Sequence, residues 1–155
     1  ITIHASGGRE MMKAAVEEAA SQAAKLNVAR PKLLGVTVLT SLDRSDLEST
    51  GVDADPSDQV LRLAALAHES GLDGVICSPL EIEALRKQCG PDFVLMVPGI
   101  RPVGSAANDQ KRAMTPRQAV DLGATNLVVG RPIYQAQDPR AAAEAIAREA
   151  GVNDL

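Results

Sequence analysis

Short apolar runs recur along the chain, each four to seven residues long. Near-continuous runs of β-branched and aliphatic residues are typical of strands buried on both faces of a parallel sheet. The pattern predicts five strands, over Ile1–His4, Leu33–Leu39, Gly74–Cys77, Phe93–Val97 and Asn126–Val129.

Longer stretches with apolar residues at helical spacing separate these runs. A proline just inside a stretch favours a helix start, and a glycine just past its end favours a left-handed cap. The glycines predicted as caps are Gly71, Gly90, Gly123 and Gly151. The predicted helices are Glu10–Leu26, Asp58–Ser70, Pro79–Lys87, Arg117–Leu122 and Arg140–Glu149.

Strand and helix alternate without a linker, in five units. This order predicts an α/β fold with parallel strands and right-handed crossovers. Two architectures fit it: an open doubly wound sheet, or part of a (β/α)8 TIM barrel, which typically takes about 250 residues. The 155 residues suit a single partial barrel domain over residues 1–155. Two longer loops are predicted, Ser41–Pro56 with one helical turn and Gly99–Met114 as a lid.

Composition narrows the range of partners. Aromatic residues make up 1% of the chain and Trp is absent, which argues against a stacking surface for nucleic acid and an aromatic belt at a membrane. The net charge is −4, so no basic field attracts nucleic acid or anionic lipid. No apolar run approaches the ~20 residues of a membrane span. Because the net charge gives no basic field, we expect any bound anion to sit in a local site.

The two cysteines bear on location. Two cysteines without a signal peptide fit a reducing, cytoplasmic location.

Small and polar residues follow every predicted strand, and in parallel α/β folds ligands bind at these carboxyl ends. Gly130 and Arg131 follow the fifth strand and suit a phosphate, since glycine allows close backbone approach and arginine offers a two-point donor fork. Arg101 is the matching arginine after the fourth strand. A salt bridge with an acidic helix residue is the alternative role for either arginine.

Other polar residues at these ends allow two interpretations. Thr40 and Ser41 either contact a ligand or cap the next turn. Gln110, in the predicted lid, either lies in solvent or reaches a phosphate or a base edge. His4 has no Asp, Ser or Cys partner at a recognisable spacing, which favours a structural role. The scattered aspartates of Asp43–Asp58 indicate a solvated face, and no metal site is predicted.

Six stretches at the strand ends, taken in chain order, form one set. They are His4–Gly8 with Met11-Met12, Val36–Ser41, Asp73–Ser78, Pro98–Pro102, Asp109-Gln110 and Val129–Ile133. The set resembles orotidine 5′-phosphate decarboxylase of the common bacterial type, over essentially the whole chain. The resemblance implies strands four to eight of a (β/α)8 barrel. It also implies cofactor-free decarboxylation of orotidine 5′-monophosphate to UMP, in pyrimidine biosynthesis, by a homodimer.

The resemblance also implies roles for individual residues. By position, Arg101, Gly130 and Arg131 match residues that bind the phosphate. Gln110 matches a loop glutamine that bridges phosphate and pyrimidine, and Thr40 matches a residue that touches the pyrimidine ring.

The chain departs from the family pattern in its catalytic residues. The family's Lys and Asp residues, in an Asp-x-Lys-x-x-Asp motif, have no match here and would lie before Ile1, on the missing strands one to three. We therefore expect no catalytic residue in this chain, which starts inside an apolar run without Met, as a fragment would. Alone, such a partial barrel is expected to be inactive and to associate through its open edge strands or need the missing part.

Two alternatives remain. One is another phosphate-binding βα-barrel enzyme, such as a sugar-phosphate epimerase or keto-gulonate-phosphate decarboxylase; the combination of Pro98–Arg101 with Asp109-Gln110 argues against it. The other is a non-enzymatic doubly wound domain of the receiver type. Such a domain needs an acidic cluster after its first strand, and Ile1–His4 is followed by none.

Overall fold

A five-stranded parallel sheet forms the centre of the protein. The computed structural model describes residues 1–103 and 113–152. Each strand pairs with the next one along the chain, so the spatial order of the strands is their sequence order. Successive βα units of a barrel produce this order. The strands are β1 (Thr2–His4), β2 (Leu34–Val36), β3 (Gly74–Ile76), β4 (Val94–Val97) and β5 (Asn126–Leu127).

Helices connect all the strands, which confirms the predicted alternation. All four glycines predicted as caps follow their helices with positive φ. Within the described residues, no helix combines the length and the apolar character needed to cross a membrane. The helices are α1 (Arg9–Leu26), α2 (Arg44–Ser49), α3 (Pro56–Glu69), α4 (Ile82–Cys89), α5 (Pro116–Asp121), α6 (Arg131–Tyr134) and α7 (Pro139–Glu149).

Some boundaries differ from the prediction because local hydrogen bonds decide them. The helix predicted over Pro79–Lys87 is a tight 3-10 turn followed by α4, and the Ser78 hydroxyl caps that turn by accepting from the Leu80 N–H at 3.2 Å. The helical turn predicted within the loop Ser41–Pro56 is α2, which a reciprocal capping box of Asp43 and Asp46 begins. The pattern does not predict α6, whose four residues are too few to show an apolar period.

The core lies between the sheet and the helices α3 and α4. Val75 on β3 and Leu95 on β4 have no accessible surface, and neither have Val60 on α3 and Leu85 on α4. These side chains belong to one apolar cluster. Burial of each contributes about 1.5–3 kcal/mol to folding, which fixes the helices against one face of the sheet.

A close approach between β3 and β4 depends on Gly74. A Cβ atom at this position would lie 2.1 Å from the carbonyl oxygen of Val94 and 2.5 Å from its Cβ. Gly74 and Val94 are the first residue pair in the β3–β4 register. Glycine therefore allows these two strands to pair in the register that aligns their carboxyl ends.

The guanidinium of Arg86, on α4, ties together the amino ends of β4 and β5. It donates to the carbonyl oxygens of Phe93 and Gly123 and to the Thr125 hydroxyl, which in turn accepts from the Leu95 N–H at 3.1 Å. Carbonyl and hydroxyl oxygens around this cation replace the water lost on burial. The two strands that carry Arg101 and Arg131 at their far ends are thus fixed to each other at their starts.

The outer edges of β1 and β5 border apolar grooves. The β1 groove, of about 540 Å³, lies between β1 and α1 and includes Ile1, Leu26 and Val28, which are mostly exposed. The β5 groove, of about 640 Å³, lies between β5 and α7 and includes Leu127 and Ile146. Among the described residues, no further strand pairs with either outer edge.

Candidate functional site

The polar strand ends meet at one edge of the sheet, because parallel strands all point the same way. The strand β2 is shorter than the predicted strand Leu33–Leu39 and ends at Val36. Beyond it the Thr37 hydroxyl donates to the Ile76 carbonyl at 2.7 Å, which holds the turn after β2 against β3. After β5, the Val128 N–H donates to the Val97 carbonyl at 2.9 Å and extends the contact with β4.

A cleft of about 210 Å³ lies between the carboxyl ends of β4 and β5, and we call it the β4–β5 cleft. It brings Arg101 together with Gly130 and Arg131, as expected from their positions after neighbouring strands. Two arginines and an exposed glycine that line one small cleft suit an anion with several oxygen atoms. The lining residues are Pro98, Gly99, Arg101, Val128, Gly130, Arg131 and Tyr134.

Arg101 is held by the turn that follows β4. Gly99 takes a φ of 82°, a left-handed conformation that residues with a side chain rarely adopt. The Arg101 N–H then donates to the Met114 carbonyl at 2.9 Å, and the Met114 N–H donates to the Gly99 carbonyl at 3.3 Å. Ile100 is fully buried beneath this pairing, and Arg101 itself is 9% exposed. The arginine therefore has a fixed position at the base of the segment Gly99–Met114.

The other side of the cleft is the start of α6. The Gly130 carbonyl accepts from the Ile133 N–H at 2.8 Å and from the Tyr134 N–H at 3.2 Å, which closes a single helical turn directly after β5. Arg131 is half-buried, and the Tyr134 ring lies beside Gly130. The sequence analysis does not identify Tyr134 as a site residue. Pro132 inside the turn is the one sequence signal for a helix start here.

A second cleft, of about 230 Å³, lies at the carboxyl ends of β2 and β3, and we call it the β2–β3 cleft. Thr40 and Ser41 line it beside Cys77 and aliphatic side chains. Asp43 caps α2, so neither Thr40 nor Ser41 has that role. Pro98 lines both clefts, which places them next to each other along the sheet edge. Together they offer a cationic end and a largely apolar end to one ligand.

Several candidates from the sequence lie elsewhere. His4 is exposed at the end of β1 and lines neither cleft. Gln110 lies outside the described residues, as do the other residues of 104–112. The predicted lid Gly99–Met114 is therefore described only at its two ends, and its contact with a ligand stays a prediction.

The aspartates between α2 and α3 form structural contacts. Arg44 donates to Glu48, Asp53 and Asp55. The hydrogen bonds to Glu48 and Asp55 raise the pKa of its guanidinium. Among the residues that the structure describes, no three His, Cys, Asp or Glu side chains group closely enough to hold a metal ion. This segment is thus an exposed, internally paired surface.

Two further groups with a shifted pKa, Asp73 and Cys89, line neither cleft. Burial raises the pKa of Asp73, but the hydrogen bond from the Leu33 N–H and the ion pair with Arg30 outweigh it, so the pKa falls below its ordinary value. Burial raises the pKa of the Cys89 thiol. Among the described residues that line the two clefts there is no carboxylate, lysine or histidine. These described residues can therefore bind and orient a ligand but include no ordinary group for proton transfer at pH 7.

Comparison with known families gives one match over nearly the whole chain. The model of the orotidine 5′-phosphate decarboxylase / HUMPS family matches residues 1–146. The match includes both clefts and all five strands. Because it continues to Ile146, it also includes most of α7.

Curated relatives share about half of their residues with this chain. A protein named orotidine 5′-phosphate decarboxylase from Paramagnetospirillum magneticum is 55% identical over 151 residues, which are 97% of this chain and 64% of that protein. One of the same name from Moorella thermoacetica is 51% identical over 150 residues, 96% of this chain and 60% of that protein. The chain thus spans less than two thirds of the length of these relatives.

Solved structures give the same family and confirm the fold. A crystal structure of orotidine 5′-phosphate decarboxylase from Lactobacillus acidophilus is similar with a TM-score of 0.79 at 41% identity, over 96% of this chain and 62% of that one. An uncharacterized conserved protein from Geobacillus kaustophilus has a TM-score of 0.78 at 34% identity, with the same coverage. The described sheet is part of a (β/α)8 barrel, which excludes the doubly wound alternative. By the match over residues 1–146, the chain belongs to the orotidine 5′-phosphate decarboxylase / HUMPS family.

Proposed function

We propose that this chain forms the ligand-binding part of an orotidine 5′-phosphate decarboxylase, which converts orotidine 5′-monophosphate to UMP and CO2. The observation that carries the proposal is the meeting of Arg101 and Arg131 in one cleft, directly beside a largely apolar cleft. A nucleoside monophosphate has the complementary shape, with a dianionic group at one end and a flat ring at the other.

The phosphate occupies the β4–β5 cleft in this proposal. Arg101 and Arg131 bind its oxygen atoms, and Gly130 lets the phosphoryl group approach the backbone. The support is geometric, since all three residues line that cleft. Burial of Arg101 strengthens its attraction for an anion, because water screens the charge less there.

The pyrimidine end lies toward the β2–β3 cleft. Thr40 is 9% exposed and lines it, beside the aliphatic side chains of Val36 and Val38. A base ring placed there packs against apolar atoms beside two hydroxyl-bearing residues, Thr40 and Ser41. The bridging role of Gln110 rests on the resemblance alone.

The proton needed by the reaction comes from outside these clefts. Decarboxylation breaks the bond between the ring carbon and the carboxylate, CO2 leaves, and the ring carbon takes up a proton. Among the described lining residues of both clefts, no lysine, carboxylate or histidine could deliver it. The resemblance assigns that step to a Lys–Asp array that this sequence does not match. We therefore expect this chain alone to bind nucleotide without turnover.

The homodimer implied by the resemblance and the cytoplasmic location expected from the two cysteines also belong to this proposal. Both cysteines are free thiols, with Cys77 buried, which supports a reducing compartment. The mass of the chain in solution, measured by light scattering, tests the dimer; a monomer at all concentrations contradicts it.

Calorimetric titration with UMP tests the phosphate assignment. Substitution Arg131→Ala removes one charged donor from the cleft, so UMP affinity should fall by roughly 10- to 100-fold, as expected for hydrogen bonds to charged groups. Arg140→Ala is the matched control, because Arg140 lies on α7, is 90% exposed and pairs only along its helix with Glu144. Equal UMP affinity of the Arg131→Ala variant and the unmodified chain would contradict the assignment.

A further inference from the structure

We propose that Tyr134 is a further ligand-contact residue, whose hydroxyl donates a hydrogen bond to the phosphoryl group in the β4–β5 cleft. The inference rests on the proposed function, since it assumes that a phosphate binds there. It extends the proposed function by adding an uncharged hydrogen-bond donor to the two arginines that line the β4–β5 cleft.

The backbone places Tyr134 at the cleft. Its N–H donates to the Gly130 carbonyl at 3.2 Å, so the residue sits one turn beyond the glycine and on the same side of α6. A Cβ atom at Gly130 would lie 3.5 Å from the ring carbon Cε1, so the ring lies beside the glycine at the distance at which a side chain there would touch it. The ring is thus a wall of the cleft that Arg101 and Arg131 also line.

Packing within the protein does not account for this ring. The chain has two aromatic residues; Phe93 is buried in the core, whereas Tyr134 is 65% exposed. Within the described part of the chain, no hydrogen bond involves the Tyr134 hydroxyl. Tyrosine is common at binding surfaces, because its ring covers apolar area and its hydroxyl finds a polar partner. A ligand in the cleft would supply that partner.

The chemistry of the phosphate explains the use of a third donor. A phosphomonoester has three terminal oxygen atoms and carries close to two negative charges at pH 7. Two guanidinium groups balance that charge, and a phenol adds a hydrogen bond without adding a further cation. The hydroxyl therefore improves the recognition of a terminal phosphate while leaving the charge balance of the cleft unchanged.

Titration of the full 155-residue chain with UMP and with uridine tests the proposal. Tyr134→Phe keeps the ring and removes the hydroxyl, and UMP affinity should fall by about threefold to tenfold while any uridine affinity is unchanged. Tyr134→Ala removes both and should weaken UMP binding at least as much. Because Tyr134 is mostly exposed, unfolding midpoints of the variants should match that of the unmodified chain.

Arg131→Ala in the same experiment separates this inference from the proposed function. If Arg131→Ala loses UMP affinity and Tyr134→Phe does not, the phosphate assignment stands and the role of Tyr134 is overturned. If neither substitution changes UMP affinity, the phosphate assignment itself fails and the role of Tyr134 fails with it.

Discussion

The Asp73 carboxylate shows how a single residue fixes the amino ends of β2 and β3. It accepts from the Leu33 N–H at 2.8 Å and pairs with Arg30, while the Asp73 N–H donates to the Leu33 carbonyl at 3.0 Å. These contacts favour the ionised carboxylate and hold its pKa below the ordinary value of 3.8. The folded state therefore binds its proton less readily than the unfolded chain does.

The sign of this pKa change predicts how stability depends on pH. Because the folded pKa is the lower one, the stabilisation is present above pH 3.8 and is lost as the pH falls through the folded pKa. At pH 7, Asp73→Asn should lower the free energy of unfolding by about 1–3 kcal/mol. Below pH 3.8 the variant and the unmodified chain should converge.

Urea unfolding across this pH range measures the effect. Asp92→Asn is a suitable control, because Asp92 is exposed and has no hydrogen-bond partner within the described residues. A stability difference for Asp73→Asn that stays constant from neutral to acid pH would show that the ionised carboxylate is not what stabilises the strand ends.

Among the elements, the β3–β4 pair depends most on the absence of a side chain. Gly74→Ala would place a Cβ atom 2.1 Å from the Val94 carbonyl oxygen, and backbone in the sheet cannot move away cheaply. We expect a loss of about 3 kcal/mol or more, comparable to other severe steric changes in a core. Gly90→Ala meets open space, and its backbone, at φ 83° and ψ 178°, should cost an alanine about 1–3 kcal/mol.

Thermal unfolding of both alanine variants checks this difference. A Gly74→Ala variant as stable as Gly90→Ala would mean that β3 and β4 can separate slightly without loss. It would also weaken the link between this glycine and the alignment of the clefts.

The same elements show what the sequence could predict. Apolar runs located all five strands, and prolines and glycines located most helix ends, because these signals are local. The short α6 depends on two hydrogen bonds accepted by the Gly130 carbonyl, and the 3-10 turn before α4 on one accepted by the Ser78 hydroxyl. Such local contacts leave no periodic pattern in the sequence. Because Arg101 and Arg131 directly follow two predicted strands, the sequence also predicted that both lie at the carboxyl edge of the sheet. The position of Tyr134 depends on the four-residue helix α6, which the sequence pattern does not predict.

At the scale of the whole molecule, the two clefts lie on a sheet that forms only part of a barrel and whose outer strands are β1 and β5. The β1 and β5 grooves leave apolar surface such as Leu26 and Val28 exposed, and the sheet is part of a barrel. Unpaired edge strands favour association with other chains. The association expected from the sequence stays a prediction, and the complete activity is proposed for a barrel in which further strands cover these edges.

The central claim is that this chain binds the nucleotide but does not supply the proton. The most direct test follows the absorbance of orotidine 5′-monophosphate with the 155-residue chain alone and after addition of a polypeptide that carries the first three βα units of a relative. We expect no loss of substrate with the chain alone and a steady loss in the mixture. Rapid loss of substrate with the chain alone would contradict the claim.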